Sequence, residues 1–310
     1  MALSKNSAAV AACSLFLLSC SHTRQVAQWD SPTPKGPEQK VIDVSTHTDF
    51  TGGVEQTSRI PLTREEYFKE MQENGVVGAV SQLSSAGKGY VDLHLQNVVH
   101  CAAAGAKINS SELESGLKSG KYGCIKIYLG YIFQYASDKN YEPAYRLAEK
   151  YDVPIVFHTG DTDNSKSKLK YADPLTIDEV AVEHPKVRFV IGHAGNPWIE
   201  SAAEVAYKNP NVYLEGSGFL MGDLNRTPIE QINEYYVKPL SWIFGYLEDP
   251  TKLMFGSDFP HADMASVIAI YKRAIPQRYW QAVFHDNAAR VFKLKKSGAA
   301  EAKSGAAELK

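Results

Sequence analysis

Short apolar, β-branched runs alternate with amphipathic stretches along most of this chain. Runs at Val41–Ser45, Val76–Val80, Ala106–Ile108, Ile125–Leu129, Pro154–His158, Arg188–His193, Asn211–Glu215 and Lys252–Gly256 predict strands. Several are apolar without a break, as in Ile155-Val156-Phe157, which suits parallel strands covered on both faces. Helical spacing is read between them at Arg64–Glu73, Leu93–Ala104, Ser111–Ser119, Tyr141–Tyr151, Leu175–Glu183, Glu200–Lys208 and Ile229–Tyr246. Asp-Pro, Asn-Pro and His-Pro steps fall at the boundaries, where a helix stops. Eight strands with intervening helices predict an α/β fold of the TIM type, a (β/α)8 barrel. A doubly wound open sheet would show the same alternation.

The two ends depart from this pattern. Met1–Ser19 joins Lys5 to an apolar run, Ala8–Leu18, that is too short for the roughly 20 residues a membrane-crossing helix needs. With Leu17-Leu18-Ser19-Cys20 behind it, the segment resembles a bacterial lipoprotein signal, with Cys20 as the lipidated residue. Residues 20–40 hold three prolines and no apolar periodicity, the composition of a tether. Residues 295–310 are an Ala/Gly/Ser/Lys/Glu low-complexity tail. One domain, 41–294, remains between them. The expected location is the cell envelope, on the periplasmic face of the outer membrane in a Gram-negative host, with the membrane as a partner through the Cys20 lipid.

Charge and cysteines narrow the chemistry. Cleavage before Cys20 removes Lys5 and leaves 32 basic against 35 acidic residues, a balance that excludes a nucleic-acid stripe. Cys101 and Cys124 lie outside any CxxC or Cys/His cluster and read as buried apolar thiols rather than as ligands or a disulfide.

The polar residues that matter stand at strand ends. Val156-Phe157-His158-Thr159-Gly160, Val190-Ile191-Gly192-His193-Ala194-Gly195 and Phe255-Gly256-Ser257-Asp258-Phe259-Pro260 each end an apolar strand in one imidazole or carboxylate with Gly or Pro behind it. Asp43-Val44-Ser45-Thr46-His47 closes the first strand similarly, its alternate residues facing one side. In a parallel barrel the C-terminal strand ends share one face, so His47, His158, His193 and Asp258 are expected to converge. Imidazoles and a carboxylate around an open position can hold a divalent ion, which acidifies bound water.

These residues also carry a family resemblance. Ile42-Asp43-Val44, the His158-Thr159-Gly160 and Gly192-His193-Ala194-Gly195 strand ends, Phe255–Pro260 and the closing Asn287–Phe292 resemble the amidohydrolase superfamily. They are most similar to the amidohydrolase-related branch that includes aminocarboxymuconate-semialdehyde decarboxylase-like proteins. The resemblance implies one catalytic divalent metal, Zn2+ first with Mn2+ or Fe2+ as alternatives, on His47, His158 and Asp258. It also implies His193 as catalytic acid/base or additional ligand, Asp258 as proton acceptor, and Lys126 as a lysine for an anionic substrate or a carboxylated ligand. His261 is a candidate substrate contact. Ser45 stands where the family's first-strand pair has its first histidine, and a hydroxyl is a poor replacement for imidazole on zinc.

The expectation is a metal-dependent hydrolase acting on an ester, lactone or amide of a small-molecule substrate, with an oligomer left open. The alternatives are a carbon–carbon lyase on the same scaffold and a catalytically silent barrel.

Overall fold

The structure, a computed structural model, describes residues 39–82 and 91–294. Eight parallel strands pair in chain order: β1 Val41–Thr46, β2 Val76–Gln82, β3 Val98–Ala104, β4 Cys124–Tyr128, β5 Ile155–His158, β6 Phe189–Ile191, β7 Val212–Glu215 and β8 Leu253–Met254. Helices α1 Arg64–Glu73, α2 Ser110–Lys118, α3 Leu129–Ile132, α4 Glu142–Tyr151, α5 Thr176–Glu183 and α6 Ile199–Lys208 alternate with them. α7 Ile229–Ile232, α8 Lys238–Leu247, α9 Met264–Ala274 and α10 Asn287–Phe292 complete the chain. This is the expected (β/α)8 barrel. The signal segment, Cys20, most of the tether and the 295–310 tail lie outside the described residues. No helix among the described residues is long and apolar enough to cross a membrane.

Local chemistry explains the helix starts. Thr63 accepts from the Glu66 amide to cap α1, and Asn109 does the same from Glu112 for α2. α9, which the hydrophobic pattern did not single out, is capped by Asp263 accepting from Ser266.

The third strand corrects the sequence reading. β3 covers the segment read as the helix Leu93–Ala104, and no strand forms at Ala106–Ile108. Both faces of β3 are covered, so no polar alternation marks it, and a short apolar run does not distinguish a buried strand from a buried helix. His100 consequently sits on a strand. Its Nε2 accepts from the Leu93 amide at 3.3 Å, and burial pulls its pKa down to about 4, which keeps it neutral and structural.

Two apolar layers hold the barrel. One cluster gathers Ile42, Val44, Val80, Val156, Val190 and Met254 from alternating strand positions, joined by Val291 and Phe292 of α10. The larger cluster lies between strands and helices, with Tyr67, Phe157, Phe189, Tyr236 and Tyr271 buried. Each such side chain contributes about 1.5–3 kcal/mol by leaving water.

Cys101 and Cys124 are directly opposed in the β3–β4 register, with Cα atoms 4.3 Å apart, and form a disulfide across 23 residues of sequence. This overturns the expectation of two buried thiols. Proximity across a ladder depends on register, which spacing alone does not carry. Replacing both cysteines by alanine is expected to lower unfolding free energy by roughly 3 kcal/mol, measured by denaturant titration. An unchanged midpoint would show that the bond adds nothing.

Candidate active site

The barrel closes where β8 meets β1, and this seam builds half of the site. The Val44 amide donates to Phe255 O at 3.1 Å, the Asp258 amide to Ser45 O at 2.8 Å, and the His47 amide to Phe259 O at 2.8 Å. Asp43, fully buried, accepts from the amides of Ser45 (3.1 Å) and Ser257 (3.0 Å), tying the two chain segments by side chain as well. These bonds hold Asp258 at φ 62°, in the left-handed region that costs an ordinary residue about 1–3 kcal/mol. The result is His47 Nε2 at 3.3 Å from Asp258 Oδ1, with Ser45 Oγ donating to the same oxygen at 3.4 Å. Gln82, from the end of β2, donates to Ser45 Oγ at 3.3 Å. Burial pushes the Asp258 carboxyl up, but the imidazoles of His193, His47 and His261 outweigh it and hold it well below the usual carboxylate range.

The other half comes from β5 to β7. Glu215, fully enclosed at the end of β7, accepts from the His193 amide at 2.8 Å and the Ser217 amide at 2.9 Å. That grip fixes His193 at φ 57°. Gly218, at φ 69°, lies so close that a Cβ there would reach 2.7 Å from His193 Nδ1.

One acceptor then determines the tautomers along this side. His158 Nε2 lies 2.9 Å from the Asp161 carbonyl, which can only accept, so Nε2 carries the proton. Enclosure, with His193 and Lys126 beside it, pulls the His158 pKa well down, so its Nδ1 is bare. That nitrogen is 3.1 Å from His193 Nε2, which must therefore donate. Its Nδ1 lies 3.0 Å from Ser217 Oγ and 3.8 Å from Glu215 Oε1.

His47, His158, His193, Asp258 and His261 all line one cavity of about 790 Å³ at the C-terminal strand ends. His261 Nδ1 lies 3.6 Å from Glu55 Oε1, and its ring packs edge-on against His47. Lys126 is placed differently from expectation. Its side chain is fully enclosed and is not among the residues lining the cavity. Its Nζ has no hydrogen-bond partner among the described residues, and burial pulls it down to about 8 against the Glu215 and Asp258 carboxylates. Trp198 precedes α6 and does not line the cavity. Ser217, Gln82, Tyr128 and Tyr131 were not singled out in the sequence. Only Tyr128, the last residue of β4, carried the strand-end signal.

A divalent ion can be tested against these groups. Two ligands on one ion, bound at about 2.0–2.1 Å with tetrahedral angles, lie roughly 3.3 Å apart. The His158–His193 and His47–Asp258 pairs, at 3.1 and 3.3 Å, fit that spacing and are of suitable donor type. Among the described residues, however, no group of three His, Cys, Asp or Glu side chains is arranged to hold an ion. Of the expected trio, His47 and Asp258 stand at ligand spacing, while the close partner of His158 is His193.

Imidazoles and a carboxylate at the C-terminal mouth of a (β/α)8 barrel stand where TIM-barrel enzymes carry their active sites. A model of the amidohydrolase family matches residues 61–294, and the chain belongs to that family. Solved structures with the same fold include an amidohydrolase from Burkholderia multivorans with bound zinc, 15% identical, covering 83% of this chain and 100% of that one, TM-score 0.61. A probable 2-pyrone-4,6-dicarboxylic acid hydrolase from Acinetobacter baumannii is 16% identical over 82% of this chain and 100% of its own, TM-score 0.59. The 2,6-dihydroxybenzoate decarboxylase from Rhizobium is 15% identical over 82% and 99%, TM-score 0.56. Protein fluG of Emericella nidulans is 36% identical over 62 residues, 20% of this chain and 7% of that protein.

Asp43 supplies a pH test of the seam. Burial, opposed by its Ser257 and Ser45 hydrogen bonds, pushes its carboxyl from the ordinary 3.8 up to about 7. The folded state therefore holds a proton that the unfolded state releases between these values, and stability falls as pH rises through that window. Asp43→Asn, which keeps one acceptor oxygen, should lack this slope in denaturant titrations at pH 4 to 8. Parallel slopes for the two proteins would show that Asp43 is ionised throughout.

Proposed function

We propose that this protein is an envelope-anchored hydrolase that cleaves an ester, lactone or amide bond in a small molecule. The observation that carries the reading is a strongly ionised Asp258 facing, in the same cavity, an imidazole pair whose proton positions are fixed. Asp258, held ionised, is placed to accept a hydrogen bond from a water and so orient it for attack. His193 Nε2–H is suited to donate to the carbonyl oxygen or leaving group, and Ser217 Oγ and Glu215 hold its ring in place. A divalent ion on His47, His158 and Asp258, Zn2+ first with Mn2+ or Fe2+ as alternatives, would supply acidified water and polarise the carbonyl. Donor type and pairwise spacing support that ion, and the missing third ligand around one point weighs against it.

The family includes enzymes of both hydrolytic and decarboxylating kinds, and a carbon–carbon lyase is the second reading. A decarboxylase needs a cation for the departing carboxylate, and the enclosure of Lys126 beneath the cavity disfavours it. Membrane attachment through Cys20 belongs to the same proposal. It predicts fatty-acid labelling of the wild-type chain in growing cells and none of Cys20→Ala.

Elemental analysis of the mature chain, beside His158→Ala/Asp258→Ala, tests the site. About one equivalent of Zn, Mn or Fe, lost in the double variant with at least a ~100-fold fall in ester or lactone hydrolysis, is expected. Neither metal nor turnover, even after metal is added back, would leave a silent barrel.

A further inference from the structure

The described residues that line the cavity include five carboxylates, Asp49, Glu55, Asp161, Asp163 and Asp258, and no Lys or Arg. One wall is aromatic. The rings of Tyr128 and Tyr131 lie 5.9 Å apart at 89°, two faces of a corner. The Asp163 amide donates to Tyr131 Oη at 3.2 Å, which fastens the Asp161–Asp163 segment to this corner. Tyr128 Oη is buried without a hydrogen-bond partner among the described residues. Val54, Leu62, Ile132 and Met221 supply apolar surface around them. The imidazoles on the wall are His47, His158, His193 and His261, of which His158 is held neutral and His261 faces Glu55.

We propose that this cavity selects substrates carrying a protonated amine or quaternary ammonium on an apolar body, with the cation beside Tyr131, Asp161 and Asp163. The inference rests on the hydrolase reading of the same site and names the substrate class for it. Aromatic faces attract a cation through the negative face of the ring, and the exposed carboxylates of Asp161 and Asp163 at the rim add to that attraction. A dicarboxylate of the kind in the name of the Acinetobacter relative would meet like charge on entry. Lys126, buried beneath the cavity, faces Glu215 and Asp258 and is not among the described residues that line it.

Equilibrium binding of benzylamine and of phenylacetate to the full mature chain, at pH 7 and followed by calorimetry, separates the alternatives without any turnover. Benzylamine should bind at least ~10-fold more tightly, and rising salt should weaken it. In Asp161→Asn/Asp163→Asn, checked for an unchanged thermal transition, the preference should shrink to about 3-fold or less. Equal or tighter binding of phenylacetate to the wild type would overturn the proposal. So would a benzylamine affinity that ignores salt, or a preference untouched by the double substitution. A protein that prefers benzylamine yet hydrolyses none of the matched esters would refute the hydrolase reading alone. Hydrolysis of neutral and anionic esters in preference to amine-bearing ones would refute the selectivity and leave the chemistry standing.

Discussion

The site depends on the closure of the barrel between its first and last strands. β8 is only Leu253–Met254, and no full ladder joins it to β1. Closure rests instead on three backbone hydrogen bonds, from Val44, His47 and Asp258, and on the Asp43 carboxyl group, which accepts from both segments. Because these bonds pass through the residues flanking His47 and Asp258, the same contacts that seal the barrel set the separation of the two functional groups. A change at the seam is therefore a change in the site.

On the opposite side the controlling element is Glu215. It spends both oxygens on backbone amides, one of His193 and one of Ser217, and so behaves as a bracket for the turn after β6. The Asp161 carbonyl then fixes the proton on His158, which leaves His158 Nδ1 to accept from His193 Nε2, while Ser217 Oγ holds the far side of the His193 ring at 3.0 Å. Ser45 is drawn into this economy as well. It donates to Asp258 and accepts from Gln82, so it supports the carboxylate rather than offering a ligand of imidazole strength.

Much of this was legible in the sequence because parallel strands end in one place. Apolar runs closing on His158, His193 and Asp258 located the mouth, and the Gly and Pro residues behind them marked the turns. The β3 segment was misread because Val98–Ala104 is covered on both faces and lacks the alternation that identifies a strand. The Cys101–Cys124 bond depended on that lost register. Ser217 and Gln82 were invisible for another reason: hydroxyl and amide side chains are common, and only folding shows which of them touch an imidazole. Lys126 is in register with Val156 of the inner layer, so its side chain enters the barrel beneath the cavity, a depth that the strand pattern does not give.

The most direct test of the account is the proton arrangement on the histidines. Long-range nitrogen–proton correlation spectra of 15N-histidine-labelled protein at pH 7, after chelator treatment, report the tautomer of each ring. The account predicts His158 neutral with its proton on Nε2, and His193 carrying a proton on Nε2, assigned by comparison with His158→Gln and Ser217→Ala. A His158 ring protonated at Nδ1, or carrying a full charge at that pH, would contradict it, because the Asp161 carbonyl would then not control the site.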